Sequence, residues 1–201
     1  MKLFFKPGAC SLSPHIVLRE AGLPFELVNV DLAAKTLADG SDFYAVNPKG
    51  QVPALALDEG GILTEGPVIV QYIADKVPEK GLIPPAGTLE RYRVLEWLNF
   101  VGTELHKTFS PLFRPTTPDA YKDIVRQTLA QKFAVLDKAL AGRSYLTGES
   151  FTVADAYCFV VLGWARPMGI DLSAYPNVTA FQARIAGRPA VREARAAEGL
   201  G

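Results

Sequence analysis

Between Lys6 and Pro14 the chain reads Lys-Pro-Gly-Ala-Cys-Ser-Leu-Ser-Pro, a turn entered from one kind of element and left through another. Leu3-Phe4-Phe5 before it is a short apolar run with the character of a strand, while Ile16, Val17, Leu18 and Ala21 after it share a helical face closed by Gly22. Ser11 or Ser13 is placed to cap that helix, and Pro14 fits its first turn, where a missing N–H costs nothing. Cys10 thus stands where strand becomes helix, with free backbone N–H groups directed back at its sulfur. Bringing a free thiol from about 8.5 to half-ionisation at neutral pH takes about 2 kcal/mol. A helix terminus supplies ~0.3–1 kcal/mol at exposed sites and up to ~2 in a partly buried one, so the expectation is a thiolate. Three residues on stands Ser13, giving Cys-x-x-Ser: no neighbouring thiol resolves a disulfide, and a partner sulfur has to come from outside. The alternative is a small residue packed at a turn.

The 201 residues are 49% apolar, enough for one sizeable domain or two small ones. Basic and acidic residues balance at 21 each without a run of either sign, which argues against nucleic acid and anionic membrane surfaces and for a small neutral or mixed-charge ligand. Without a signal-peptide pattern or an apolar run long enough to span a bilayer, the expectation is a soluble cytoplasmic protein. Cys158 falls in the apolar stretch Ala-Asp-Ala-Tyr-Cys-Phe-Val-Val-Leu and reads as core. There is no metal-spaced His/Cys cluster and no Gly-rich phosphate loop, so no metal and no permanently bound cofactor is expected.

Phe25-Glu-Leu-Val-Asn-Val30 reads as a second strand, parallel to the first, and Asp31 to Asn47 as a short helix between loops. Asn47-Pro-Lys-Gly-Gln-Val-Pro-Ala-Leu-Ala-Leu57 runs from a turn into a strand, and its Val52-Pro53 bond is a candidate for the cis form as well as for an ordinary trans strand opening. The Asp58-Glu-Gly-Gly61 turn makes a hairpin with Ile62-Leu63. Thr64-Glu65-Gly66-Pro67 then opens a helix whose free N–H groups and adjacent carboxylate suit a zwitterion. The Pro- and Gly-rich stretch Val77–Gly87 breaks the pattern, and everything beyond reads as helix. One long helix spans about 88–112, with Asn99, Thr103 and His106 as a polar stripe at i, i+4 and i+7; another spans 119–140. Thr152 and Asp155 form a capping box before the very apolar 156–164, and two further helices start at Tyr175-Pro and Arg188-Pro. The domains expected are 1–78, a linker 79–87, and an all-helical 88–201.

Strand-helix-strand, a hairpin entered through Val-Pro, a helix opened by Thr-Glu-Gly and a helical domain together resemble the cytosolic glutathione transferases. Lys-Pro-Gly-Ala-Cys-Ser, Asn-Pro-Lys-Gly-Gln-Val-Pro-Ala-Leu, Leu-Thr-Glu-Gly and Thr-Glu-Leu-His-Lys look like the bacterial beta class. The resemblance implies an α+β thioredoxin-like domain of βαβαββα order with a mixed sheet, then an all-α bundle. It also implies an enzyme with glutathione as co-substrate, a small apolar electrophile or a disulfide as second substrate, and a homodimer. Cys10 then faces the glutathione sulfur and forms a mixed disulfide with it, while His106 hydrogen-bonds in the same site. Lys35 meets the glycyl carboxylate, Val52 pairs with the cysteinyl unit beside a cis Pro53, and Glu65 with the Gly66 amide holds the γ-glutamyl end. Asn99, Thr103 and Glu104 border the cleft, in part from the second subunit, with Lys107 a further candidate. Phe109, Phe113, Tyr157 and Trp164 are offered as acceptor-pocket lining or as core. The chain departs from other classes in having Gly66 where most place Ser, and Phe4-Phe5 where many place a thiol-polarising Tyr. Conjugation and Cys10-mediated thiol–disulfide exchange both stay open, as does a non-catalytic binding role on the same scaffold.

Overall fold

Five short strands, β1 (Lys2–Phe5), β2 (Glu26–Asp31), β3 (Thr36–Leu37), β4 (Ala54–Ala56) and β5 (Ile62–Thr64), form one sheet of order β3-β2-β1-β4-β5 in the computed structural model, which describes residues 1–201. β1 and β2 are parallel, with Leu3 opposite Leu27 and Phe5 opposite Asn29, because helix α1 (Leu12–Ala21) makes the crossover. The other pairings are antiparallel. One apolar cluster gathers Phe4, Val30, Phe43, Val52 and Ala54. Helices α1 and α2 (Gly66–Asp75) pack together, burying Ile16, Val17 and Leu18 of one and Ile69, Val70 and Ile73 of the other. Each such side chain contributes about 1.5–3 kcal/mol on leaving water. α1 ends at Gly22, whose φ of 70° allows the left-handed cap that closes its last turn.

Two local expectations are corrected. Asp31–Asn47 holds no α-helix: β3 pairs along the edge of β2, and a 3-10 turn, Phe43–Ala45, follows it. Burial of Phe43 against Phe4 decides that geometry, overriding a weak helical pattern. Neither candidate serine caps α1. The Ser11 hydroxyl accepts from Lys6 N–H at 3.1 Å and donates to the Lys6 carbonyl at 3.3 Å, closing the turn on itself. The buried Ser13 hydroxyl has no partner.

This sheet unit comprises Met1–Ile83 together with Arg188–Gly201; Pro84–Gly187 is a second unit. The sequence grouped 88–201 into one helical domain, but the last helix, α8 (Pro189–Ala197), packs on α1. Two buried or half-buried polar contacts explain why. Arg188 donates through Nε and Nη2 to both oxygens of Glu20, and the Glu198 side chain, fully buried, meets His15 Nδ1 at 2.8 Å.

In the second unit, α3 (Leu89–Phe100) is capped by Thr88, whose hydroxyl accepts from Arg91 N–H. It runs into a π-helical segment, Val101–His106, and then α4 (Lys107–Phe109), in place of the uniform helix read from the sequence. α5 (Asp119–Leu140), α6 (Val153–Gly163) and α7 (Pro176–Ala186) complete it. Every residue from Val153 to Leu162 is buried, which makes α6 the centre of this unit. Asp137 on α5 accepts from the N–H groups of Asn177 and Val178 and so caps α7. No helix is long and apolar enough to cross a membrane.

Candidate functional site

In the sheet unit, Cys10 lies in the turn between β1 and α1 and is part-buried. Its S–H donates to the Val52 carbonyl at 3.3 Å, and the Val52-Pro53 peptide is cis. Cys10 and Val52, far apart in sequence, are thus in direct contact. The expected thiolate is corrected, however. Burial pushes the Cys10 thiol up to about 12, outweighing the backbone N–H groups of Cys10 and Ser11 that pull it down, with the Glu65 carboxylate adding to the rise.

Glu65 precedes α2 with φ 71° and ψ 109°, a conformation costly for a residue with a Cβ. Strain of this kind gathers at binding positions because the surroundings must enforce it. Its carboxylate meets Lys49 Nζ at 2.5 Å, and the same ammonium donates to Thr64 Oγ1 at 3.0 Å. Lys49 escaped the sequence reading: it sits in the Asn-Pro-Lys-Gly-Gln turn, and nothing local shows which carboxylate that turn will face. Lys35, itself at φ 60°, donates through Nζ to the Gly50 carbonyl at 2.7 Å, so both lysines converge on one loop. Gly50 is fixed there by sterics, since a Cβ would come within 2.6 Å of the Tyr44 ring. Gly66 is not: a Cβ there would stand 3.7 Å from Pro53, an ordinary contact.

A second feature missed from sequence is the brace behind Cys10. Glu198 accepts the Gly8 N–H at 3.0 Å through one oxygen and meets His15 Nδ1 through the other; Arg19 Nε–H donates to His15 Nε2 at 3.0 Å. A shallow cleft of about 320 Å³ at the C-terminal ends of β1 and β2 is lined by Lys6, Asn29, Val30, Asp31 and Thr36–Ala38, and none of the expected site residues lines it.

In the helical unit the polar stripe divides. Asn99 and Thr103 are exposed, and Thr103 donates its hydroxyl to the Asn99 carbonyl. Glu104 pairs with Lys132 of α5 at 2.6 Å, and Lys107 is exposed. His106, at the end of the π segment, turns inward: Nδ1 lies 2.6 Å from the Tyr157 hydroxyl, and the ring meets Trp164 edge-on at 4.8 Å. The wider π turn breaks the i, i+4, i+7 register that had placed the three on one face. Burial, then the neighbouring Lys107, lower the His106 pKa to about 4, so the imidazole is neutral at pH 7. Phe109 is fully buried and Tyr157 nearly so, which makes them core; Trp164 is edge-on to both Phe109 and Phe113, and only Phe113 is exposed.

Residues 8–76 match the glutathione S-transferase N-terminal domain and residues 100–189 its C-terminal domain. Glutathione S-transferase GstA of Escherichia coli O157:H7 is 53% identical over the full length of both chains. Among solved structures, a sphingomonad glutathione S-transferase complexed with glutathione is 53% identical with TM-score 0.97, and a bacterial beta-class glutathione S-transferase from Sphingomonas chungbukensis is 52% identical with TM-score 0.97. Each comparison covers all of both chains.

Proposed function

The chain belongs to the glutathione S-transferase family, in its bacterial beta-class branch, and we propose that it holds glutathione with Cys10 against the ligand's sulfur and passes that sulfur to an electrophile or into thiol–disulfide exchange. The family membership speaks for an enzyme and against a non-catalytic scaffold. The observation that carries the assignment of Cys10 is its contact with the Val52 carbonyl beside Pro53. When the cysteinyl N–H of glutathione takes that carbonyl as acceptor, the Cys10 S–H loses its partner and turns to the glutathione sulfur. A hydrogen bond to a charged acceptor is worth about 1.5–3 kcal/mol, which favours the ligand's thiolate.

In conjugation, that thiolate forms a bond to the electrophilic carbon and the leaving group departs with the bonding pair. In exchange, the Cys10 thiolate attacks the glutathione sulfur of a glutathione mixed disulfide, expelling the other half as thiolate. A glutathione thiolate then attacks the mixed disulfide, releases Cys10 as thiolate and leaves oxidised glutathione. Lys35 receives the glycyl carboxylate, Glu65 and the Gly66 N–H the γ-glutamyl end, and His106 donates a hydrogen bond to the glutathione sulfur, with Asn99, Thr103, Glu104 and Lys107 as neighbouring contacts. The chain works in the cytoplasm as a homodimer. Leu89 and Tyr92, 64% and 58% exposed on α3, supply apolar surface for that contact, and sedimentation showing only monomer at micromolar concentration would count against it.

The test is steady-state turnover of electrophiles and of mixed disulfides with glutathione, wild type beside Cys10→Ala. Loss of all exchange and a fall of about ten- to hundredfold in conjugation is expected. Unchanged rates in both assays refute the role given to Cys10.

A further inference from the structure

We infer that Tyr157 is the positioning residue that fixes His106 in the tautomer with its hydrogen on Nε2, making it a neutral hydrogen-bond donor. The inference rests on the reading that His106 donates to the glutathione sulfur. A neutral imidazole has one N–H and one lone pair, and the group bonded to Nδ1 decides which nitrogen carries which. Here that group is the Tyr157 hydroxyl at 2.6 Å. Bonds donated by N–H cluster near 2.9–3.0 Å, whereas those donated by O–H are shorter, so the separation points to phenol O–H donating to the Nδ1 lone pair. The hydrogen then sits on Nε2.

The ring has little freedom to escape this arrangement. Trp164 meets it edge-on at 72° with centroids 4.8 Å apart, and the Tyr157 ring does so at 73° and 5.9 Å. Tyr157 itself is 3% exposed in the buried helix α6, so its hydroxyl is held from behind by the core of the unit. On the other side, the π segment ends at His106, and its wider turn is what takes the residue out of register with Asn99 and Thr103. A neutral donor of this kind stabilises a thiolate without accepting its proton. A ring free to exchange tautomers would spend part of its time offering Nε2 as a lone pair, which repels an anion.

The chain has two histidines, and the second supplies an internal control. His15 accepts Arg19 Nε–H at Nε2 and faces the Glu198 carboxylate with Nδ1, so its hydrogen belongs on Nδ1, the opposite tautomer. Nitrogen-15 spectra of histidine-labelled protein at pH 7 should show one ring of each kind. In Tyr157→Phe, His106 should become a mixture while His15 is unchanged, and kcat should fall several-fold with the KM for glutathione within about twofold. A wild-type His106 carrying its hydrogen on Nδ1 overturns the inference even if the variant fails to fold. So does a Tyr157→Phe protein whose His106 tautomer is unaltered. Full turnover in His106→Gln overturns the underlying reading of His106 instead, while the spectra still decide the tautomer.

Discussion

Asp155 offers a stringent test of what holds the helical unit together. Its side chain is fully buried and collects three hydrogen bonds: Leu146 N–H at 2.8 Å on one oxygen, and Thr152 N–H at 2.7 Å and Thr152 O–H at 2.9 Å on the other. Asp155→Asn keeps the shape and one oxygen but turns an NH2 toward donors that had faced an acceptor. At least one buried N–H is orphaned whichever way the amide points, at about 1–3 kcal/mol. The carboxylate carries a cost that the amide does not. Burial raises its pKa from the ordinary 3.8 to about 6 even against those hydrogen bonds, so between these values the folded protein keeps a proton that the unfolded chain has released. Stability from this group is therefore complete below pH 3.8 and is lost as pH rises through about 6.

The rise amounts to about 3 kcal/mol in all, at about 1.36 kcal/mol per pH unit, and about 1.3 kcal/mol of it falls between pH 5 and 7. The amide has no proton to exchange, so the advantage of wild type over Asp155→Asn should shrink by that amount over that interval. Urea unfolding followed by tryptophan fluorescence reads it, because Trp97 and Trp164 both lie in the same unit as Asp155. His106 also titrates in that unit, but it does so in both proteins and cancels in the difference. A difference that stays constant from pH 5 to 7, or grows, refutes the reasoning.

For Glu65 the left-handed backbone and the carboxylate can be separated by two variants. Glu65→Ala and Glu65→Gly should lose glutathione affinity to a similar extent by calorimetry, yet Gly should unfold about 1 kcal/mol later than Ala because only Gly occupies that backbone without strain. Loss of the Lys49 pair, exposed on both sides, adds little to either, and an Ala variant at least as stable as Gly would show that no strain is held there. For Cys10 in glutathione-free protein, the rate of alkylation by a neutral reagent should climb through pH 9 without a plateau, since burial holds the thiol near 12 and only thiolate reacts. A plateau below the ordinary thiol range would restore the thiolate reading, provided mass mapping puts the label on Cys10 and not on the fully buried Cys158.

What could be read from sequence was what neighbouring residues decide among themselves. The strand-to-helix switch at Cys10, the Glu65-Gly-Pro opening of α2 and the Thr152/Asp155 capping box each lie within a few residues, where turn chemistry and hydrophobic period dominate. The errors lie where a distant partner wins. Phe43 is drawn into the core beside Phe4, which makes an edge strand and a 3-10 turn out of a weakly helical segment. α8 follows its Glu198 to His15 and Gly8, more than 180 residues away in the chain. The π segment is a third case: its apolar positions Val101, Leu105 and Phe109 are spaced as an ordinary helix would space them, so no local signal reveals the extra width.

The same imbalance between local and distant effects decides the chemistry at Cys10. A helix terminus contributes at most ~2 kcal/mol toward a thiolate. The rise of the Cys10 thiol from the ordinary thiol range to about 12 corresponds to about 4 kcal/mol the other way, and this is what is left after the backbone N–H groups have acted. Cys10 in the free protein is therefore a donor, and its S–H donates to the Val52 carbonyl. His106 is neutral at the same pH, so neither residue carries a charge that could activate a sulfur. On the function proposed above, two neutral donors would suit a reaction in which the anion forms on the ligand, since each would stabilise a glutathione thiolate without being consumed by it. Exchange through Cys10 makes the opposite demand, since there the protein sulfur must shed its proton before it can attack. Conjugation should accordingly persist toward neutral pH while exchange rises steeply with alkalinity, and the apparent pKa of the exchange rate measures how far bound substrate relieves the burial of Cys10.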